Sequence, residues 1–169
     1  MALNTLMSFN LRATNTSSIG LSTVTDPLVL AQALNLTSGT GSGNADDLFH
    51  DERALGNGGS ETLDLTKGGL SDVFGNAIAI TKLKVLFIMN PSADATLRIG
   101  GSTNSQLDIF GDSAASSQLL VLSPGSTIFV YTGGAAGKDI TGSGNLKIKH
   151  GGEGAAGANY KVVAIGASA

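Results

Sequence analysis

The chain has no cysteine and no tryptophan, only three prolines and two histidines, and few charges: ten Lys and Arg against thirteen Asp and Glu in 169 residues. Without cysteine there is neither a disulfide framework nor a thiolate metal site. The few basic residues are scattered and the formal net charge is -3. That pattern gives no cationic footprint for phosphate, which excludes nucleic acid as a partner. Six Phe and two Tyr are too few for a platform that stacks sugars or bases. The longest aliphatic run, Val85 to Met89, falls far short of the roughly 18 residues of a membrane span. The N-terminus also lacks the basic segment and apolar stretch of a secretory signal. A soluble protein made without classical export, with no membrane partner, is the expectation.

What the chain does have is glycine, 24 residues of it, and short stretches in which apolar and small polar side chains alternate. Thr5, Met7, Phe9, Leu11 and Ala13 share one side of a strand period, and Leu28, Leu30, Gln32, Leu34 and Leu36 share another. "AIAITKLKVLFIMN", residues 77–90, is the strongest strand signal, with Leu83, Val85, Phe87 and Met89 on one face and a second half apolar on both. "SQLLVL" and "STIFVYT" flank Pro124-Gly125 and predict a hairpin-like pair; "GNLKIKH" and "NYKVVAIG" close the series. "KGGLSDVFGNA" reads as a turn holding at most one helical turn. A turn signal every eight to twelve residues, without helical periodicity, predicts an all-β single-domain antiparallel fold of nine or ten short strands, a β-sandwich or barrel, of which the double-sheet jelly roll is one member. Residues 1–25 are expected to form an N-terminal strand or arm, and 26–169 the sandwich, with an irregular, partner-facing loop at 38–60.

The search for chemistry returns little. "DDLFHDE" gathers Asp46, Asp47, His50, Asp51 and Glu52, the only cluster with metal-ligand atoms. Its spacing lacks the alternating oxygen ligands and central glycine of a calcium loop, so a solvated acidic loop is the expectation. His150 ends "LKIKH" and is expected to be an exposed strand-end histidine; no Gly-x-Ser-x-Gly elbow accompanies it. Lys82, Lys84, Lys147 and Lys149 would form a basic stripe only if their strands were neighbours, and lysines on strand faces more often block edge pairing. "GEGAAG", residues 152–157, and "GTGSGN", residues 39–44, have spaced glycines but open no helix, so they are turns and not phosphate loops. The sequons "NTS" at 15–17 and "NLT" at 35–37 carry no functional weight without an export signal. Phe87, Phe129 and Tyr160 are expected in the core. In "LSPGSTIFVYTGG", one face of Ile128 and Val130 or of Phe129 and Tyr131 should fill the sandwich, leaving the other under a sheet edge or a neighbouring subunit. No catalytic, cofactor-binding or metal residue is assigned, and no cofactor is expected.

Residues 61–167 nevertheless have a recognisable order. A "TLDLTKGGLSDVFGNA" turn precedes the long strand, a short strand ends in "IGG", then come "LSPGSTIFVYTGG" and a closing "NYKVVAIG". This succession resembles small structural proteins of tailed bacteriophages, of the head decoration or cement type. The resemblance implies a jelly-roll sandwich without enzymatic activity. It also implies a homotrimer on the capsid exterior that clamps neighbouring capsomers, with the major capsid protein as partner, made in the host cytoplasm. Residues 1–60 have no counterpart in that pattern. Two other readings stand beside it: a receptor- or glycan-binding module of a tail or fibre, and a small β-sandwich enzyme using "DDLFHDE" with a metal.

Overall fold

The structure, a computed structural model, describes residues 2–100, 107, 109, 119–133, 136–152 and 156–169. The described residues form twelve strands and no helix: β1 (Thr5–Ile19), β2 (Ser22–Ser38), β3 (Asn44–Ala45), β4 (Asp47–Leu55), β5 (Ser60–Asp64), β6 (Lys82–Met89), β7 (Leu97–Gly100), β8 (Leu119–Leu122), β9 (Thr127–Tyr131), β10 (Lys138–Asp139), β11 (Asn145–His150) and β12 (Ala158–Ala167). From β4 onward they build two packed antiparallel sheets. One runs β9-β6-β12-β4, with β10 continuing along the β9 side of β6; the other runs β5-β11-β7-β8. Setting aside the two-residue β10, the eight body strands pair first with last, second with seventh, third with sixth and fourth with fifth. That nesting is a long hairpin rolled over itself, the double Greek key of a jelly roll. The all-β class is therefore as the turn spacing predicts, a sandwich and not a barrel, and the jelly roll is the form that the resemblance implied. The strand count is higher than nine or ten, and two strands, of 15 and 17 residues, are not short.

Alternation places the core. Leu86 and Ile88 of β6, Leu97 and Ile99 of β7, and Leu146 and Ile148 of β11 all point between the sheets and are fully buried. The glycine at 166 allows a close approach, because a Cβ there would lie 2.3 Å from Ile80 Cγ2 and 2.6 Å from the Lys82 carbonyl.

Three expectations are corrected here. The 38–60 segment is not one irregular loop: its middle, Asp47–Leu55, is β4, an edge strand of nine residues on β12. Its period is hidden because the inward positions between Phe49 and Leu55 are Asp51 and Arg53, a charged pair with Arg53 Nε 3.0 Å from Asp51 Oδ2. Pro124-Gly125 does not close a hairpin. β8 pairs with β7 and β9 with β6, so the turn carries the chain from one sheet to the other. Pro124 and Gly125 (φ +72°) occupy the centre of a turn closed by Ser126 N–H to the Ser123 carbonyl at 3.0 Å. This is the residue choice of a type II turn, whose twist splays strands instead of pairing them. Finally, the arm does not end at residue 25. β1 and β2 form one continuous hairpin, paired from Thr5↔Leu36 to Ile19↔Ser22.

Candidate interaction surface

The β1–β2 ribbon is built by its own alternation. Gly20 (φ +60°) is the first central residue of the two-residue turn, the glycine-first choice of a hairpin connection. The resulting register puts Met7 opposite Leu34, Phe9 opposite Gln32, Leu11 opposite Leu30 and Ala13 opposite Leu28. The two apolar sets therefore merge into one stripe. The other face carries Ser8, Asn10, Arg12, Thr14 and Thr16 opposite Ala33, Ala31, Val29, Pro27 and Thr25.

At its base the stripe is seated on the body. Leu36 and Met7, with Leu3 and Ala45, pack on Val85, Ile165, Val163, Leu48 and Tyr131. These body residues lie on the outward face of the β9-β6-β12-β4 sheet and form a cluster separate from the inter-sheet core. Beyond the base the stripe continues with nothing over it among the described residues: Phe9, Leu11, Leu28 and Leu30 are between 43% and 54% exposed. On the body side Phe129 is 46% exposed and Phe87 partly so. Between ribbon and sheet runs a cleft of about 590 Å³ with Met7, Phe9 and Leu34 on one wall and Phe87 and Phe129 on the other. Of the three aromatics expected in the core, then, only Tyr160 is there. In β9, Ile128 and Val130 fill the sandwich, Tyr131 lies under the ribbon base, and Phe129 opens into the cleft.

A smaller apolar tip lies elsewhere. Asp72 Oδ1 accepts from the N–H groups of Phe74 at 2.9 Å and Asn76 at 2.8 Å, and Oδ2 from Asn76 Nδ2 at 2.9 Å. These bonds, led by the Asn76 side chain, hold the Asp72 carboxyl below its ordinary pKa. They fix a turn without any helical residue that presents Val73 and Phe74 to solvent.

The polar candidates are dispersed. Asp46 accepts from Ser168 N–H and Oγ at 2.8 and 2.6 Å. Asp47 accepts from Ala79 N–H at 2.9 Å, and burial, helped by Asp46 and Asp72, raises its pKa. Asp51 pairs with Arg53, and Glu52 reaches Lys161 at 3.6 Å. His50 points outward from β4 and is exposed. No group of three potential ligands converges among the described residues.

His150 is buried, not exposed. Its Nδ1 accepts from Gly152 N–H at 2.9 Å and its Nε2 donates to the Ala156 carbonyl at 3.1 Å, so the ring staples the glycine-rich 151–157 turn. Within that "GEGAAG" turn, residues 153–155 lie outside the described residues. The lysines form no stripe, because Lys82 and Lys84 are on β6 and Lys147 and Lys149 on β11 of the other sheet. Lys82 pairs with Asp139, and Lys84 is wholly buried.

Compared with known protein families, curated proteins and solved structures, the chain has no significant match. Its function is therefore argued from its own surface.

One polar network spans both sheets. Tyr160 Oη donates to Glu61 Oε1 at 2.6 Å, and Arg53 Nη1 donates to Glu61 Oε2 at 2.6 Å. Burial, and then the bond to Glu61, push the Tyr160 hydroxyl well above its ordinary pKa. With Tyr160 fully buried, this network ties β4 and β12 to β5 instead of facing a ligand. The ribbon is what sequence reasoning missed as a unit. Its signals were present: two alternating runs of matching period and a Gly-Leu turn midway between them.

Proposed function

We propose that this chain is a non-enzymatic structural protein of a virus particle. In this reading it is a decoration protein that binds the major capsid protein on the outer capsid surface, clamps neighbouring capsomers, and works as an assembly of its own copies. The observation that carries the reading is the ribbon. A two-stranded hairpin is at best marginal alone in water, and this one holds an apolar stripe far beyond the body that anchors it. Such a stripe marks a surface made to be covered in an assembly. The jelly-roll body supports the reading as a rigid platform of a kind found in capsid and lectin domains, although fold alone does not fix function.

The test is co-sedimentation of the purified protein with heads of the virus that encodes it. Saturable binding, and heads that resist heat better once coated, are the expected results. Absence of binding, together with attachment of the isolated protein to cells or glycans, would overturn it in favour of a tail or fibre module.

A further inference from the structure

Each molecule carries both halves of a contact that it does not make with itself. One half is the free stretch of the ribbon's apolar face, from Phe9 and Leu11 across to Leu28 and Leu30. The other is the uncovered part of the outward sheet face, Phe129 with Phe87. The base of the same ribbon, through Met7 and Leu36, already covers the adjoining part of that same sheet face. The ribbon's apolar face thus already packs on this sheet face at its base, and Phe9 faces Phe87 and Phe129 across an open cleft. The two surfaces do not meet within one chain, because the ribbon is exposed on both faces from Ser8 to Ala33.

We infer that the ribbon of one copy lies with its apolar face on the Phe87 and Phe129 face of a second copy, so that the protein is an arm-exchanged homo-oligomer. This rests on the assembly reading above and specifies which surface serves self-association and which is left for the capsid.

Size supports a second copy as the occupant. The whole exposed ribbon, from the Ser8↔Ala33 pair to the Ile19↔Ser22 pair, is 12 residue pairs long, roughly 40 Å, and a two-stranded ribbon is about 10 Å across, so the stripe-bearing face, apolar from Phe9 to Leu28 and more polar beyond, offers a footprint of roughly 400 Å². A single such contact is below the approximately 800 Å² per partner of a stable interface, whereas giving one ribbon and receiving another reaches it. Charge supports it too. Arg12 and Asp26 are the only charged residues from 5 to 38; Arg12 is on the polar face and Asp26 lies opposite Asn15 beyond the apolar stretch, so the stretch from Phe9 to Leu28 itself carries no charge. The Phe87 and Phe129 corner of the sheet face matches that stretch; the charges of the same outward face, Glu52 and Lys161, lie beside it and pair with each other at 3.6 Å.

The absence of cysteine makes the test direct. A Leu30→Cys chain and a Phe129→Cys chain are co-expressed and oxidised, and hydrodynamic mass is measured for the wild type and for a Leu11→Glu, Leu30→Glu double variant. Arm exchange predicts a disulfide joining one chain of each kind and a wild type of at least twice the chain mass. It predicts a double variant that runs as a folded monomer, with a melting temperature independent of protein concentration where that of the wild type rises with it. A wild type that is monomeric at micromolar concentration, cross-links only between like chains, or a double variant of wild-type mass would each overturn it. Monomers that still coat heads through these leucines would overturn arm exchange and leave the decoration reading intact. Oligomers that ignore heads would do the reverse.

Discussion

At Lys84, β6 carries one residue more than β12: Val85 pairs with Ile165 and Leu83 with Gly166, leaving the lysine in a bulge. The bulge sets Lys84 next to Val85 on the side of the ribbon base, where it has no exposure and the Gly41 carbonyl is 3.4 Å from Nζ. Burial, and then the charge of Lys82, lower its pKa. No carboxylate pairs with Lys84 among the described residues, and a buried unpaired charge costs stability, so Lys84→Met should raise the unfolding free energy by about 1 kcal/mol or more in denaturant titration. The sign with pH follows from linkage. With the folded pKa below the unfolded 10.5, the cost is full at neutral pH and shrinks as pH rises through that window, so wild type and variant should converge in alkali. Asn90 is the opposite case, a buried polar group with every partner supplied. Its Nδ2 reaches the carbonyls of Ala95, Leu122 and Ser123 at 2.8, 3.1 and 3.2 Å, and Oδ1 accepts from Ser92 N–H at 3.1 Å. Asn90→Ala strands several of these and should cost about 2–3 kcal/mol in the same titration. Neither residue announces its environment in the sequence. Lys84 reads there as one of a solvent-facing pair, because a bulge is set by the partner strand and not by the residue itself.

At the scale of elements, the β8–β9 connection shows what a local signal does and does not carry. Pro-Gly marks a turn correctly. The destination of the next strand depends on where β6 and β7 lie, since Gly125 N–H donates to the Asn90 carbonyl and Asn90 N–H to that of Ser126, both at 2.9 Å. The ribbon is the converse: its pairing is local, so its alternation and its Gly-Leu turn made it readable. The segment 14–18, "TNTSS", hid it by resembling a linker, because an exposed strand has no need of apolar residues. Excising Arg12 to Val29 and closing Leu11 to Leu30 with Asn-Gly should leave the body's melting temperature within about 2 °C, since the removed residues are exposed throughout. The same variant should lose self-association, which light scattering reads.

For the whole molecule, acid stability follows from carboxylates of opposite behaviour. Hydrogen bonds from Lys82, and then from Thr141, bring the Asp139 pKa down to about 2 from 3.8, and Asp72 is lowered in the same direction by its turn. Their contributions are complete above the unfolded value and disappear as pH falls toward the folded one. Asp47, raised mainly by burial, is opposite: its charge costs stability, and protonating it on the way down removes that cost. Thermal midpoints should therefore hold or rise slightly as Asp47 takes its proton, then fall between 3.8 and about 2. Asp47→Asn should abolish the first behaviour, and Asp139→Asn should flatten the second. High salt should weaken the Asp139 part, since both groups of that pair reach solvent.

The sequence by itself determined the all-β class and a body of many strands joined by closely spaced turns, a sandwich or barrel; the jelly roll among these was what the resemblance implied. Those properties depend on composition, turn spacing and period-two alternation, all of which are local. Only the tertiary structure decided that "DDLFHDE" is a strand whose ligand-type side chains go to separate partners, that His150 is buried, and that the lysines of β6 and β11 belong to different sheets. It also decided that two apolar stripes 15 residues or more apart merge on one face and run past the body that anchors them. The physical reason is the same throughout. Alternation tells which residues share a side, but what faces that side is set by strands distant in the chain.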